Sequence, residues 1–220
     1  KHVQELCIVG GEPLIFRKEI YEILEGIAKT NIRTVIVTNA LLMNQKFIDA
    51  IYNYNIHIVV SIDTMDKEFW NFVRGSESYD LVFKNLEYAC SKLSSAQLSI
   101  QSVLSQETKP YLEAVSEYAK ERGLFHSIQD YVTRGFEGSW TEIEDKYVQI
   151  NTNEQQCHAA GRNLSVLQNG DVKTCFQQDW ISGCEKPLGN LNHDSIQDIL
   201  QRQYVQFVFE KMCECNLPCK

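Results

Sequence analysis

A chain of 220 residues with 44% hydrophobic content carries enough apolar surface for one large or two small domains. Its formal charge of -8, with no run of basic residues, argues against nucleic acid as a partner. No apolar stretch reaches the ~20 residues that cross a bilayer and no charged-then-apolar leader opens the chain, so no membrane contact and a cytoplasmic location are expected.

In chain order, short Ile- and Val-rich runs predict strands at 6–9, 34–37, 57–62, 98–103 and 125–132. Between them Ile20, Ile23, Leu24 and Ile27, then Phe47, Ile48 and Ile51, then Val82, Phe83 and Leu86 fall at helical spacing. A last helix is expected from Pro110 to Arg122, stopped by Gly123. Strand-helix repetition predicts an α/β fold with a parallel sheet or barrel, its site at the C-terminal strand ends. Those ends carry Gly10-Gly11-Glu12-Pro13, Thr38-Asn39-Ala40 and Ser61-Ile62-Asp63. Each has a plain structural reading as well: a Gly-Gly turn, helix caps at Asn39 and Ser61, and a solvated helix-end charge at Arg74. Cys7 and Cys90 read as small packing residues.

The polar, Gly-containing stretch 133–139 suits an exposed connection, which predicts a first domain over 1–135, a linker over 136–156 and a second domain over 157–220. Six of the eight cysteines fall in that second domain. In a reducing compartment they read as metal ligands or buried small hydrophobes before disulfides. Asn169-Gly170-Asp171 is a hairpin turn signal that brings Cys157 and Cys175 to one open end. A helix from Ser195 to Lys211 then leads into Cys213, Cys215 and Cys219, while Cys184 follows Ser182-Gly183 in a loop and reads as spare. Convergent thiolates suit either a structural zinc or an iron-sulfur cluster.

On these motifs the chain resembles the radical S-adenosylmethionine (SAM) superfamily, and its end resembles the SPASM or shorter twitch domains appended to such enzymes. The resemblance implies a partial (βα)6 TIM-like barrel lacking its first strand, followed by a small β-hairpin plus helix cluster domain. It implies a SAM site made by Gly10, Gly11, Glu12 and Pro13, with Asn39, Ser61, Asp63, Arg74 and Gln101, and further approach from Ser102 and from 129–131. It implies an auxiliary 4Fe-4S cluster on Cys157, Cys175 and Cys219 with Cys213 or Cys215. The family's Cys-x3-Cys-x2-Cys triplet, which holds the SAM-cleaving 4Fe-4S cluster, does not precede Gly10. Two explanations are open: an N-terminal segment absent from this chain, with which a second cluster is expected, or a relative that no longer cleaves SAM. The implied activity is generation of a 5'-deoxyadenosyl radical for hydrogen abstraction, in peptide or protein modification. The alternatives are a sugar- or aminocyclitol-type dehydrogenase and a non-catalytic binding protein, and a flavodoxin or ferredoxin is the implied reducing partner.

Overall fold

Along each central strand, fully buried side chains alternate with half-exposed ones, which gives the sheet one face against helices and one open face. The computed structural model describes residues 3–130 and 162–215. In the first stretch β1 (Glu5–Ile8), β2 (Arg33–Thr38), β3 (Ile56–Ser61), β4 (Leu98–Leu104) and β5 (Phe125–Asp130) form one sheet in chain order. Every neighbouring pair is parallel. The register places Val35 beside both Cys7 and His57, and Ser61 beside Gln101. Cys7, Val35, Val37, Val59, Ser61, Gln101 and Val103 therefore share the open face.

The other face is covered by α1 (Arg17–Ile27), α2 (Gln45–Ile51), α3 (Lys67–Arg74), α4 (Tyr79–Lys92) and α5 (Leu112–Glu121). The 3.6-residue period brings Ile20 and Leu24, Phe47, Ile48 and Ile51, and Val82, Leu86 and Ala89 onto Ile36, Ile58, Val60 and Ile100 in one core. Starts and stops have local causes. Asn44 and Asp66 accept hydrogen bonds from the Phe47 and Phe69 amides and cap α2 and α3. Gly75 ends α3 in the left-handed conformation, and Gly123 lies there just after α5. The strand-helix order and parallel pairing are those expected for a partial TIM-like barrel. Cys90 packs against the core, as expected, and burial pushes its thiol up to about 11. Cys7 does not: it is exposed on β1, because this strand lies at the sheet edge with both faces at least partly open.

The chain divides into two compact units, residues 1–148 and 149–220. In the second, β6 (Ser165–Val166), β7 (Asp171–Lys173) and β8 (Gly189–Asn190) form an antiparallel sheet in that order. The Asn169-Gly170-Asp171 turn is present, with Gly170 at a φ of 85°. The single helix expected from Ser195 to Lys211 is instead two, α6 (Ile196–Leu200) and α7 (Gln203–Cys213). The break is at Arg202, whose backbone is extended and whose guanidinium bonds to the Leu188 carbonyl at 3.0 Å and to Asp194 at 2.6 Å. Among the described residues no helix is long and apolar enough to cross a membrane.

Candidate functional site

The C-terminal ends of the strands, the loops that follow β1, β2 and β3, and the end of α3 hold the residues singled out in the first unit. After β1, Gly10 and Gly11 are exposed, and a Cβ placed on either would meet nothing within 4 Å. The fold's packing therefore does not exclude a side chain at Gly11, while the bare backbone leaves room for a ligand to approach. Pro13 is buried and opens a short 3-10 turn over Pro13–Phe16. Glu12, at its cap, turns inward: its carboxylate accepts from the Leu14 amide at 3.0 Å, the Thr38 hydroxyl at 2.7 Å and the Asn39 amide at 2.9 Å. One side chain thus pins the loop after β1 to the loop after β2.

That second loop is held from below as well. Asn85, buried on α4, donates to the Ala40 and Leu41 carbonyls at 3.0 and 3.2 Å. Ala40 is fully buried and left-handed, at a φ of 62°. The Asn39 carboxamide accepts from the Leu41 amide at 2.9 Å, a local turn bond and not the helix cap expected of it, since Asn44 caps the following helix.

After β3, Ser61 faces the open side and its carbonyl accepts from Arg74 Nη2 at 3.2 Å. Asp63 accepts from the same Nη2 at 3.0 Å and from the Val103 amide of β4 at 2.9 Å. The Arg74 guanidinium also lies 5.1 Å from the centre of the buried Trp70 ring. Gln101 is half-buried beside Ser61. Ser102 points the other way, into the sheet, where it donates to the Ile62 carbonyl and meets His126 Nε2 at 2.7 Å. His126 Nδ1 meets Ser116 at 2.9 Å, and burial holds its imidazole below the usual range. Gln129 is exposed, and Tyr131 lies outside the described residues. The structure thus brings 10–13 together with Asn39, and Ser61 with Asp63, Arg74 and Gln101. Glu12, Asp63 and Arg74 spend the hydrogen bonds named above on the protein itself.

In the second unit Cys175 is half-buried, Cys213 exposed and Cys215 buried. Cys157 and Cys219 lie outside the described residues, and among the described ones no three potential ligands converge on a metal position. The loop that presents Cys175 is organised by Gln178, which is fully buried. Its carbonyl accepts from the Thr174 amide at 2.9 Å, and its amide donates to the Cys184 and Lys186 carbonyls at 2.9 and 2.7 Å. Cys184 packs with Val172, Leu188, Val205, Val208 and Met212, and burial pushes its thiol up, with Glu185 adding to the effect. Sequence reasoning passed over Gln178 and Asn85, because a polar residue in a helical or loop stretch does not announce its distant backbone partners.

Known families match both units. The radical SAM superfamily model matches residues 1–119, and the SPASM iron-sulfur cluster-binding domain model matches 157–220. The molybdenum cofactor biosynthesis protein moc-5 of Caenorhabditis elegans is 30% identical over 124 residues, 56% of this chain and 20% of moc-5. Streptococcus suis SuiB shares the fold at a TM-score of 0.70 and 17% identity, over 90% of this chain and 55% of SuiB. One SuiB structure carries its precursor peptide SuiA. The anSMEcpe structure with bound AdoMet and Cp18Cys peptide aligns at a TM-score of 0.67 and 15% identity, over 98% of this chain and 72% of that one. The chain therefore spans about a fifth of moc-5 and about half of SuiB.

Proposed function

The chain belongs to the radical SAM superfamily and carries a SPASM-type iron-sulfur domain, and from that premise we propose that it is the SAM-binding and auxiliary-cluster portion of an enzyme that modifies a peptide or protein. The observation that carries the SAM reading is the open backbone at Gly10 and Gly11, with empty space where a Cβ would stand and a rim locked behind it by Glu12.

On this reading Gly10 and Gly11 present main-chain groups to the amino end of SAM, and Ser61 and Gln101 face it across the open side of the sheet. Asn39 flanks the glycines from the neighbouring loop. A bound SAM together with a 4Fe-4S cluster would supply the radical chemistry for hydrogen abstraction from substrate. The residues of this chain bind, orient and shield; the electron donor, a flavodoxin or ferredoxin, is external. In the second unit Cys175 and Cys215 or Cys213, with Cys157 and Cys219, would supply the thiolates of an auxiliary 4Fe-4S cluster, a donor set of the softness iron-sulfur clusters take.

The peptide-bearing structures of SuiB and anSMEcpe support a peptide substrate. The likeness to moc-5 supports the second reading, a small-molecule substrate. Calorimetric titration with SAM tests the site. Gly11→Val is expected to lose SAM binding while keeping its thermal midpoint, because the added side chain fills ligand space and no protein contact. Equal SAM affinity in Gly11→Val and the parent overturns the assignment. Mass change in a precursor peptide, against turnover of a small molecule with peptide untouched, separates the two substrate classes.

A further inference from the structure

The same rim shows how its opening is set, and the inference rests on the reading of that rim as the SAM site. Backbone pairing between β3 and β4 runs out at the Ile62 amide, which donates to the Gln101 carbonyl at 3.0 Å. One step farther, the Ile62 carbonyl accepts from the Ser102 hydroxyl, and the Val103 amide is received by Asp63 Oδ1 at 2.9 Å. The Asp63 carboxylate is only 14% exposed. A charged carboxylate so placed is costly to leave without a partner. Arg74 is that partner: its Nη2 reaches Asp63 Oδ2 at 3.0 Å and the Ser61 carbonyl at 3.2 Å. The guanidinium is itself fixed, 5.1 Å from the centre of a Trp70 ring whose indole N–H donates to Ser78 at 3.2 Å.

We infer that Arg74 is a positioning residue: acting through Asp63, it holds the C-terminal ends of β3 and β4 at the spacing that lets Ser61 and Gln101 face one bound SAM. The bridge joins Ser61 and Asp63, at the end of β3, to Val103 on β4, 40 residues from Asp63. A ligand role for Arg74 predicts different behaviour, because a cation touching SAM would recognise its carboxylate and would act without Asp63.

The full chain and its Arg74→Gln, Asp63→Asn and double variants would be compared by hydrogen exchange at the Val103 amide and by calorimetric titration with SAM and with decarboxylated SAM. Both single variants are expected to speed Val103 exchange and to weaken both molecules by the same factor, about tenfold. The double variant is expected to be no weaker than either single one, and Arg74→Lys to restore most of the exchange protection. Unchanged Val103 exchange in Arg74→Gln, additive losses in the double variant, or a loss confined to SAM over its decarboxylated form would each overturn the inference. If the parent binds both molecules and the variants bind them equally well, this inference alone falls. If the parent binds neither, the SAM reading of the rim falls and takes the inference with it.

Discussion

Glu12 shows what a rim carboxylate does when the protein supplies all its hydrogen bonds. Removing it strands the Thr38 hydroxyl, whose residue is 2% exposed, together with the Asn39 amide. Unsatisfied groups of this kind cost about 1–3 kcal/mol each. Glu12→Ala is therefore expected to lower unfolding free energy by about 2–4 kcal/mol in urea titration and to weaken SAM with it, whereas Gly11→Val affects SAM alone. His126 gives a pH prediction. Its folded value lies below the free value of 6.5 because burial disfavours the imidazolium, so the unfolded chain takes up protons more readily. The stability it contributes is present above about pH 6.5 and is lost as pH falls below it. A thermal midpoint series from pH 8 to 5 is expected to fall on the acid side, and to fall less in His126→Gln, which keeps a polar group near Ser102 and Ser116 without the titration. At this scale the sequence disclosed residue types and not their duties. Glu12, Asp63 and Arg74 were visible as polar groups beside strand ends, yet the Asn39, Val103 and Ser61 partners that occupy them depend on the register of the sheet.

Strands and helices of the first unit were legible because each is set by a local period: Ile- and Val-rich runs for β2 and β3, i, i+3, i+4 spacing for α1 and α4. The second unit was less so, since its strands are two or three residues long and its geometry comes from side-chain staples. Leu188-Gly189-Asn190-Leu191 holds the strand β8 with its turn. Each position has a physical task. Leu188 is buried, and the Asn190 amide side chain donates to the Asn169 carbonyl at 3.0 Å and to Asp171 at 2.9 Å, tying β8 to the β6-β7 turn. Gly189 is where α6 closes on the sheet: a Cβ there would stand 2.5 Å from Ile199 Cγ1 and 2.7 Å from Arg202 Nη1. Ile199 is fully buried and cannot swing away. Gly189→Ala is accordingly expected to cost about 1–3 kcal/mol by overpacking, read as a lower midpoint for the second unit in differential scanning calorimetry. The same substitution at Gly11, where no atom lies near, is expected to leave stability within about 0.5 kcal/mol of the parent.

For the whole molecule, the two units differ in what can hold them. The first has a continuous core from Leu14 to Leu124 beneath a five-stranded sheet. The second relies on Val172, Cys184, Leu188, Ile199, Val205, Val208 and Met212, a core of the size at which small domains call on metal or disulfide staples. Its cysteines fit the first of these, because thiolate ligation of a cluster converts metal affinity into folding free energy. On the proposed reading the ligands bind different units, so they should act on different transitions. In calorimetric scans of the full chain, SAM at about 100 times its Kd adds about 2.7 kcal/mol to whatever folds with the site, and this shift is expected in the first unit's transition alone. Anaerobic iron and sulfide are expected to raise the second unit's transition, and a Cys175→Ala, Cys215→Ala variant to lose that rise while keeping the response to SAM. Cys184→Ala tests the packing reading of the remaining buried thiol: it should lower the second transition with and without iron, and leave the iron-bound visible absorbance unchanged. A loss of that absorbance in Cys184→Ala would make the buried thiol a ligand, and a single transition moved equally by SAM and by iron would show that the two cores melt as one.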